Sequence, residues 1–469
     1  MSKFLHGVEV IEAQSGTRPI KTVKSSVIGL IGTAPFADED AFPLNTPVLI
    51  AGKRAEASGL VESSNTDYQD KLTQRKDAAA AAATSLDSVE LKAALTKAEA
   101  AKGSTLTDDE KAAVTTQVAE QAKNSIQDIL DKDKGTLFSA IDGIFDQAGA
   151  VVVVVRVEDH ASESNVITNM KAGVTPEGKN KGVSAFLDAE STLGFSPRIL
   201  VAPGYTHQFD VPEGAGNAVV ADLISIAERL RAVIIADGPS LSNLSDQSKA
   251  DSKAIKYRQT VGSRRVYVVD PHVKVLKNGE VEDEPASARV AGMIAKSDND
   301  RGFWWSPSNT NMNGIVATGR PIDFQLGDAS ARANLLNENE VATIIRQNGF
   351  KLWGNRTCSD DPKWAFLSVV RTADMINDSL LRAHMWAVDR NITKTYIDDV
   401  VQSVQGYLDS LKAQGAILGG EIWADEELNT PVNIQAGKVY FSFDFTPPTP
   451  AEHITFKSIL TNNYLEEIV

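Results

Sequence analysis

A single cysteine, Cys358, stands in the 469-residue chain. That excludes an intramolecular disulfide framework and any cysteine-rich zinc site, and suits a reducing compartment. Basic residues are outnumbered, 47 against 62 acids for a formal net charge of −15, which argues against a nucleic-acid partner, where clustered Lys and Arg release counterions. Aromatic residues make up 6% and are not interleaved with basic clusters, so a base-stacking platform has no support. No apolar run approaches the roughly 18 residues of a membrane span. The N-terminus MSKFLHGVEVIEAQSG also lacks the apolar core of a secretory signal. The six histidines (His6, His160, His207, His272, His384 and His453) share no local metal spacing. The expectation is a soluble, acidic protein with no membrane or nucleic-acid partner and no cofactor.

What is present is ordinary globular material, 42% hydrophobic and long enough for two to four domains. Residues 1–24 lack a core of their own. In Gly7–Glu12, Val8 and Val10 alternate with Glu9, ahead of Ile11, and spell a short strand. Val27–Thr33 and Pro47–Ala51 read as further strands. Gly29 and Gly32 hint at a phosphate loop, but their spacing is not GxGxxG and no helix follows; close backbone packing is the competing reason. From Tyr68 to Lys134 there is no proline, one glycine (Gly103) and a six-alanine run at 78–83, which predicts two or three helices. Thr107 and Glu110 have capping-box spacing.

An α/β rhythm then sets in. Ala150–Val157, AVVVVVRV, is a β-branched run expected of a strand buried on both faces, and Ile199–Ala202, Val233–Ala236 and Val266–Val269 repeat the signal between helical stretches. The fold class is α/β, α+β overall, built on a doubly wound parallel sheet. Asp237 and Asp270 each end a strand, where open α/β sheets bind ligands, and two such carboxylates could hold a hard cation. That keeps a metal-dependent enzyme as the alternative. Asp237-Gly238-Pro239 and Asp270-Pro271 are also turn formers, and no phosphate loop, GxSxG elbow or HExxH accompanies them.

Leu335–Trp364 reads as a helix carrying Val341, Ile344 and Ile345 on one face, ended by Asn348-Gly349, then a strand with Trp353 and a polar turn holding Arg356 and Cys358. Asp360 and Asp361 before Pro362 suit the cap of the next helix, expected from Ala365 to Asp389 with Leu381 among its inward residues. Ile397–Leu411 forms an amphipathic face terminated by Gly415. Val439, Phe441, Phe443 and Phe445 alternate with polar residues, the pattern of a strand with one apolar face. A proline spacer follows at 447–450. Beyond it, Ile454 and Phe456, with Ile459 and Leu460, give a last strand signal. Both chain ends are thus short strand-like segments outside any core. A lone strand is marginal, but it can complete the sheet edge of another copy.

Long blocks of the chain resemble the contractile tail sheath proteins of myophages, especially temperate enterobacterial ones, and the related R-type bacteriocin sheaths. They include HGVEVIE at 6–12, SSVIGLIGTA at 25–34, AFLDAESTLGFSPRILVAPG at 185–204, LLNENEVATIIRQNGFKLWGNRTCSDDP at 335–362, HMWAVDRNIT at 384–393, AGKVYFSFDFTP at 436–447 and ITFKSILTNNYL at 454–465. The resemblance implies a non-enzymatic subunit of a virion tail sheath, assembled in the host cytoplasm as stacked hexameric rings. Its partners would be further copies of itself, an inner tail tube, and baseplate and tail terminator proteins. Contraction would drive the tube through the host envelope, powered by the difference between two sets of inter-subunit contacts.

The implied architecture has an N-terminal arm (1–24), an outer α/β domain (25–61 and 135–305), an inserted Ala-rich helical hairpin (62–134), a tube-proximal α+β C-terminal domain (306–450) and a C-terminal arm (451–469). The arm strands would use Val8, Val10, Ile11, Ile454, Phe456, Ile459 and Leu460. The receiving sheet and inner-domain core would use Val439, Phe441, Phe443, Phe445, Trp353 and Arg356.

Overall fold

The structure, a computed structural model, describes residues 20–209, 216–239, 247–277 and 279–461. Val8, Val10 and Ile11 of the expected N-terminal arm therefore lie outside the described residues. The chain divides into two compact units. One comprises Ser25–Asp300 and Pro307–Asp360; the other comprises Arg301–Ser306, Asp361–Val469 and Met1–Lys24.

The larger unit is built on strands whose sequences favour burial on both faces. In chain order they are β1 (Ile28–Thr33), β2 (Pro47–Ala51), β3 (Val151–Val157), the small hairpin β4 (Gly173–Val174) and β5 (Asn180–Lys181), and β6 (Ile199–Val201). There follow β7 (Val233–Asp237), β8 (Val266–Val269), β9 (Val273–Lys277), β10 (Glu280–Glu284), β11 (Ala317–Thr318), β12 (Val341–Arg346) and β13 (Phe350–Trp353). The main sheet has the order β13-β12-β8-β7-β6-β1-β3-β2. Its six inner strands pair in parallel, while β2 and β13 close the edges antiparallel. The β-branched run of β3 sits in register between β1 and β2 with six of its seven residues buried. Helices Glu163–Met170, Ala218–Leu230 and Gln247–Gln259 supply apolar side chains such as Val166, Leu223 and Tyr257 to the core against the sheet. Gly29 and Gly32 are explained by close approach: an added Cβ would lie 2.7 Å from Leu200 at one and 2.4 Å from Thr136 at the other.

Between β2 and β3 three helices are inserted, Thr66–Ala83, Val89–Lys102 and Asp108–Ser125, the third packing against the other two. The expected hairpin is thus a three-helix array. Each helix starts on a side-chain cap, Asn65, Ser88 or Thr107, and the Thr107–Glu110 capping box forms in both directions. Apolar burial in these helices is sparse, limited to residues such as Tyr68, Leu72, Leu91 and Val118. The first helix attaches through an apolar cluster of Tyr68 and Leu72 with Phe36 and Ile129, and polar contacts gather in the segment that follows the helices. Tyr68 donates to Asp128 at 2.6 Å, and the buried Lys134 reaches both Asp128 (2.5 Å) and Asp131 (2.8 Å). Lys277 of β9 pairs with Asp131 (3.3 Å) and Glu284 (2.7 Å), and Arg289 joins Glu284 (2.5 Å) to Asp146 (3.3 Å).

Two expectations need correction. Val341–Arg346 is a strand, not the face of a helix; the helix is the earlier Arg332–Glu338. The spacing of Val341, Ile344 and Ile345 fits a helical face, but the β-branched VATII segment pairs in parallel with β8 and is buried from both sides. Asn348-Gly349 is then the turn of the β12–β13 hairpin, with φ of 52° and 109°, a left-handed pair that Asn-Gly adopts readily. In consequence residues 307–360 extend the main sheet and belong to the larger unit, rather than opening a C-terminal domain at 306.

The smaller unit packs helices Leu367–Ala383 and Lys394–Ala413 with the strand pair β14 (Gly419–Ala424) and β15 (Phe441–Thr446). Its core includes Phe303, Met375, Ile376, Val404, Tyr407, Leu408, Leu411 and Ile422. The first helix ends at Ala383, short of Asp389, and Leu381 lies on its exposed side at 62%, not inward as its apolar character suggests.

Candidate functional site

In the smaller unit an open strand pair shares its core with Ile20 and Val23 and runs on into the segment 447–461. β14 and β15 pair antiparallel, Ile422 opposite Phe443 and Gly420 opposite Phe445, and form a sheet of two strands among the described residues. Phe441, Phe443 and Phe445 turn their half-buried rings onto the helical core, with the last two stacked at 6.0 Å between centroids. Val439 precedes the strand and is half-buried. Two strands do not make a self-sufficient sheet; a third strand or a covering layer is the usual completion.

The N-terminal segment enters this unit at Ile20 and Val23, which pack on its core. Thr22 Oγ1 lies 3.1 Å from the Tyr407 hydroxyl, and the Val23 amide donates to Ser379 Oγ at 3.1 Å. These anchors were not legible in the sequence, because Ile20 and Val23 follow no strand or helix period. At the other end, residues 447–461 form no strand. Ile454 is 66% exposed, Phe456 91%, Ile459 72% and Leu460 99%. Four apolar side chains on one short extended tail is the pattern of a segment awaiting a partner.

The larger unit holds the other sequence candidates, and their geometry is structural. Asp237 is fully buried at the end of β7. It accepts from the Ser287 amide (2.8 Å), Ser287 Oγ (2.6 Å) and Thr206 Oγ1 (3.3 Å), so it caps the helix Ser287–Arg301. Burial raises its pKa, while the Ser287 bonds hold it down. Asp270 precedes a cis bond to Pro271 and is paired with Arg320, which also meets Asp251 at 2.6 Å. Burial pushes the Asp270 carboxyl up to about 6 against the lowering pull of Arg320. Both oxygens of Asp237 and Oδ2 of Asp270 are committed to protein donors, and no cluster of His, Cys, Asp or Glu among the described residues is disposed to hold a metal ion.

Cys358 is buried, its thiol pushed up to about 12 by desolvation, and its amide donates to the Val266 carbonyl at 2.9 Å. It is a small core residue, not a nucleophile. Asp361 caps the short helical turn Pro362–Trp364 by accepting from the Lys363 amide at 2.9 Å. Trp353 lies in β13, its ring meeting Phe324 edge-on at 4.9 Å, and Arg356 follows three residues on. The structure therefore separates Trp353 and Arg356 from Val439 and the three phenylalanines: they belong to different units.

Comparison with known proteins matches this architecture along its whole length. The profile described as phage tail sheath protein central domain covers residues 165–358, and that described as phage tail sheath C-terminal domain covers 359–461. The chain is 35% identical to a putative prophage major tail sheath protein of Pseudomonas aeruginosa (strain UCBPP-PA14), over 99% of both chains. It is 32% identical to the tail sheath protein of Escherichia phage P2, over 100% of this chain and 98% of that protein. Among solved structures, a chain of the anti-feeding prophage baseplate, 6-fold symmetrised, aligns with TM-score 0.60 at 18% identity, covering 98% of this chain and 100% of that one. The sheath complex of an extracellular contractile injection system in its contracted state aligns with TM-score 0.60 at 16% identity, covering 99% of each.

Proposed function

From the premise that this chain belongs to the phage tail sheath family, a structural and not an enzymatic component of virion tails, we propose how it assembles and acts. Copies polymerise as stacked hexameric rings around an inner tail tube. The arms of each copy add strands to the β14–β15 sheets of its neighbours. On a baseplate signal the subunits repack into a shorter, wider helix, and the tube is driven through the host envelope. The smaller unit lies toward the tube. Baseplate and terminator proteins bound the two ends of the polymer.

The observation that carries this reading is the pairing of a two-stranded sheet with an extended, exposed apolar tail at 454–460. A strand donated to such an edge satisfies backbone groups, and burying each large apolar side chain contributes about 1.5–3 kcal/mol. Because the donated strand belongs to another copy, the contact is heterologous and propagates. Similar contracted-state and 6-fold-symmetrised assemblies share the fold.

The test is deletion of residues 451–469 from the full chain. The expected product is a folded, soluble subunit that forms no tubes by electron microscopy, while the full chain forms tubes of hexameric cross-section. Tubes of normal length from the deleted chain would overturn the arm mechanism.

A further inference from the structure

The two free edges of the β14–β15 sheet are not equivalent. The register, with the Asp425 amide donating to the Tyr440 carbonyl at 3.1 Å, turns Glu421 and Trp423 of β14 toward β15. The backbone groups of Gly420 and Ile422 consequently point outward along the free edge of β14. Those two groups are occupied. Gln405, on the helix Lys394–Ala413, donates from Nε2 to the Gly420 carbonyl at 3.2 Å, and its Oε1 accepts from the Ile422 amide at 3.2 Å. Its second Nε2 proton goes to Asp409 Oδ1 at 3.1 Å, so both amide protons and the amide oxygen have partners.

One donor and one acceptor from a planar amide, bonding the carbonyl of one residue and the amide of the residue two further on, reproduce what the N–H and C=O of one residue in an added parallel strand would offer. The half-buried Gln405 side chain therefore imitates a paired strand at this edge. By contrast, the outer edge of β15 carries no partner strand among the described residues.

We propose that Gln405 is a self-capping latch: it closes the β14 edge of a free subunit against a second copy's strand and swings out when that strand docks. The inference rests on the arm reading of assembly. It makes the β15 edge the entry point in a free subunit and the β14 edge conditional. A latch that must open reduces apparent affinity by the fraction of open subunits. With two ordinary hydrogen bonds at stake, removing it is expected to lower the critical concentration for tube formation by about tenfold.

The experiment compares the full chain with Gln405→Ala and Gln405→Glu, each with and without residues 451–469. Critical concentration is read by sedimentation, and amide hydrogen exchange at Ile422 is read in the soluble subunit. Gln405→Glu keeps the side-chain length but sets a carboxylate against the Gly420 carbonyl, so it releases the latch even if the alanine variant folds poorly. The expected result is faster exchange at Ile422 in both variants, with or without the tail, and about tenfold lower critical concentration for both variants that keep the tail. Unchanged or raised critical concentration in the tailed variants, while tail deletion still abolishes tubes, would overturn the latch and leave the arm reading standing. Normal tubes without the tail would overturn the arm reading itself, and the latch with it.

Discussion

Lys277 Nζ lies 3.3 Å from the Asp131 carboxylate and so ties the β9–β10 hairpin to the segment that follows the inserted helices. The link is one step in a continuous chain of charge running from Asp128 and Lys134 through Lys277, Glu284 and Arg289 to Asp146. Burial alone would lower the pKa of Lys277, yet Glu284, Asp131 and Asp142 raise it above the ordinary lysine value, so the cation is held charged. The segment that follows the inserted helices is therefore tied to the β9–β10 hairpin by ionic contacts, while the first helix itself shares an apolar cluster with Phe36 and Ile129 through Tyr68 and Leu72.

That attachment predicts the behaviour of Lys134→Met. Lys134 is 3% exposed and meets two carboxylates, so its removal leaves the buried Asp131 with Lys277 and Asp128 with the Tyr68 hydroxyl, each short of one cation. The expected loss is about 3 kcal/mol. Amide exchange should rise first in 66–125, ahead of the main sheet. Chemical denaturation followed by exchange mass spectrometry checks it; uniform exchange across the larger unit would contradict a local anchor.

Phe456→Ala separates subunit stability from assembly. At 91% exposure the ring has little to lose in the free subunit, and the change there should stay within about 0.5 kcal/mol. In the proposed polymer the same ring would be buried against a neighbour, and its loss should cost about 2 kcal/mol per contact. Thermal melting of the soluble subunit and pelleting of tubes report the two quantities separately. Equal effects in both would place Phe456 on its own subunit instead.

Asp237→Ala addresses the strand-end carboxylate. The substitution strips the partner from Thr206 Oγ1, the Ser287 amide and Ser287 Oγ in one step, all of them buried. A loss of about 3 kcal/mol is expected, since each orphaned group keeps its desolvation penalty. Divalent cations should shift the melting temperature of neither wild type nor variant. Stabilisation of wild type by Mg2+ that the variant loses would revive the metal-site alternative.

The uneven legibility of this chain has physical causes. The AVVVVVRV run announced β3 because a strand buried on both faces has no polar alternation to obscure it. Thr107 and Glu110 announced a helix start because a capping box is entirely local. Val341–Arg346 misled because its i, i+3, i+4 apolar spacing suits a helical face, and the pairing with β8 that decides the matter comes from some 70 residues away. The role of Asp237 was hidden for a similar reason: the helix it caps begins at Ser287, far beyond its own turn. At the candidate site, Phe441–Thr446 was visible by alternation, whereas the strand signal at 454–460 corresponds to no strand within the chain. Gln405 was not visible, since one glutamine on the flank of an amphipathic helix carries no signal until the strand it bonds is in place.

The last prediction concerns pH and two groups whose protonation opposes each other. His272 is buried edge-on to His207 at 5.3 Å between ring centroids, and desolvation pushes its imidazole down to about 4, against a smaller raising effect from Asp283. Its folded-state pKa thus lies below the ordinary 6.5. As pH falls from about 6.5 to about 4 the unfolded chain takes up a proton that the folded chain refuses, so stability is lost in that window. Asp270, raised to about 6 by burial, works the other way: the folded chain binds a proton that the unfolded chain releases until near 4, so stability is gained as pH falls through 6. The two slopes largely cancel. His272→Phe removes only the first, and relative to wild type the variant should gain about 3 kcal/mol on going from pH 7 to pH 4. Urea unfolding of the soluble subunit at both pH values measures the difference of differences. Parallel pH profiles for wild type and variant would show that His272 carries no buried-neutral penalty.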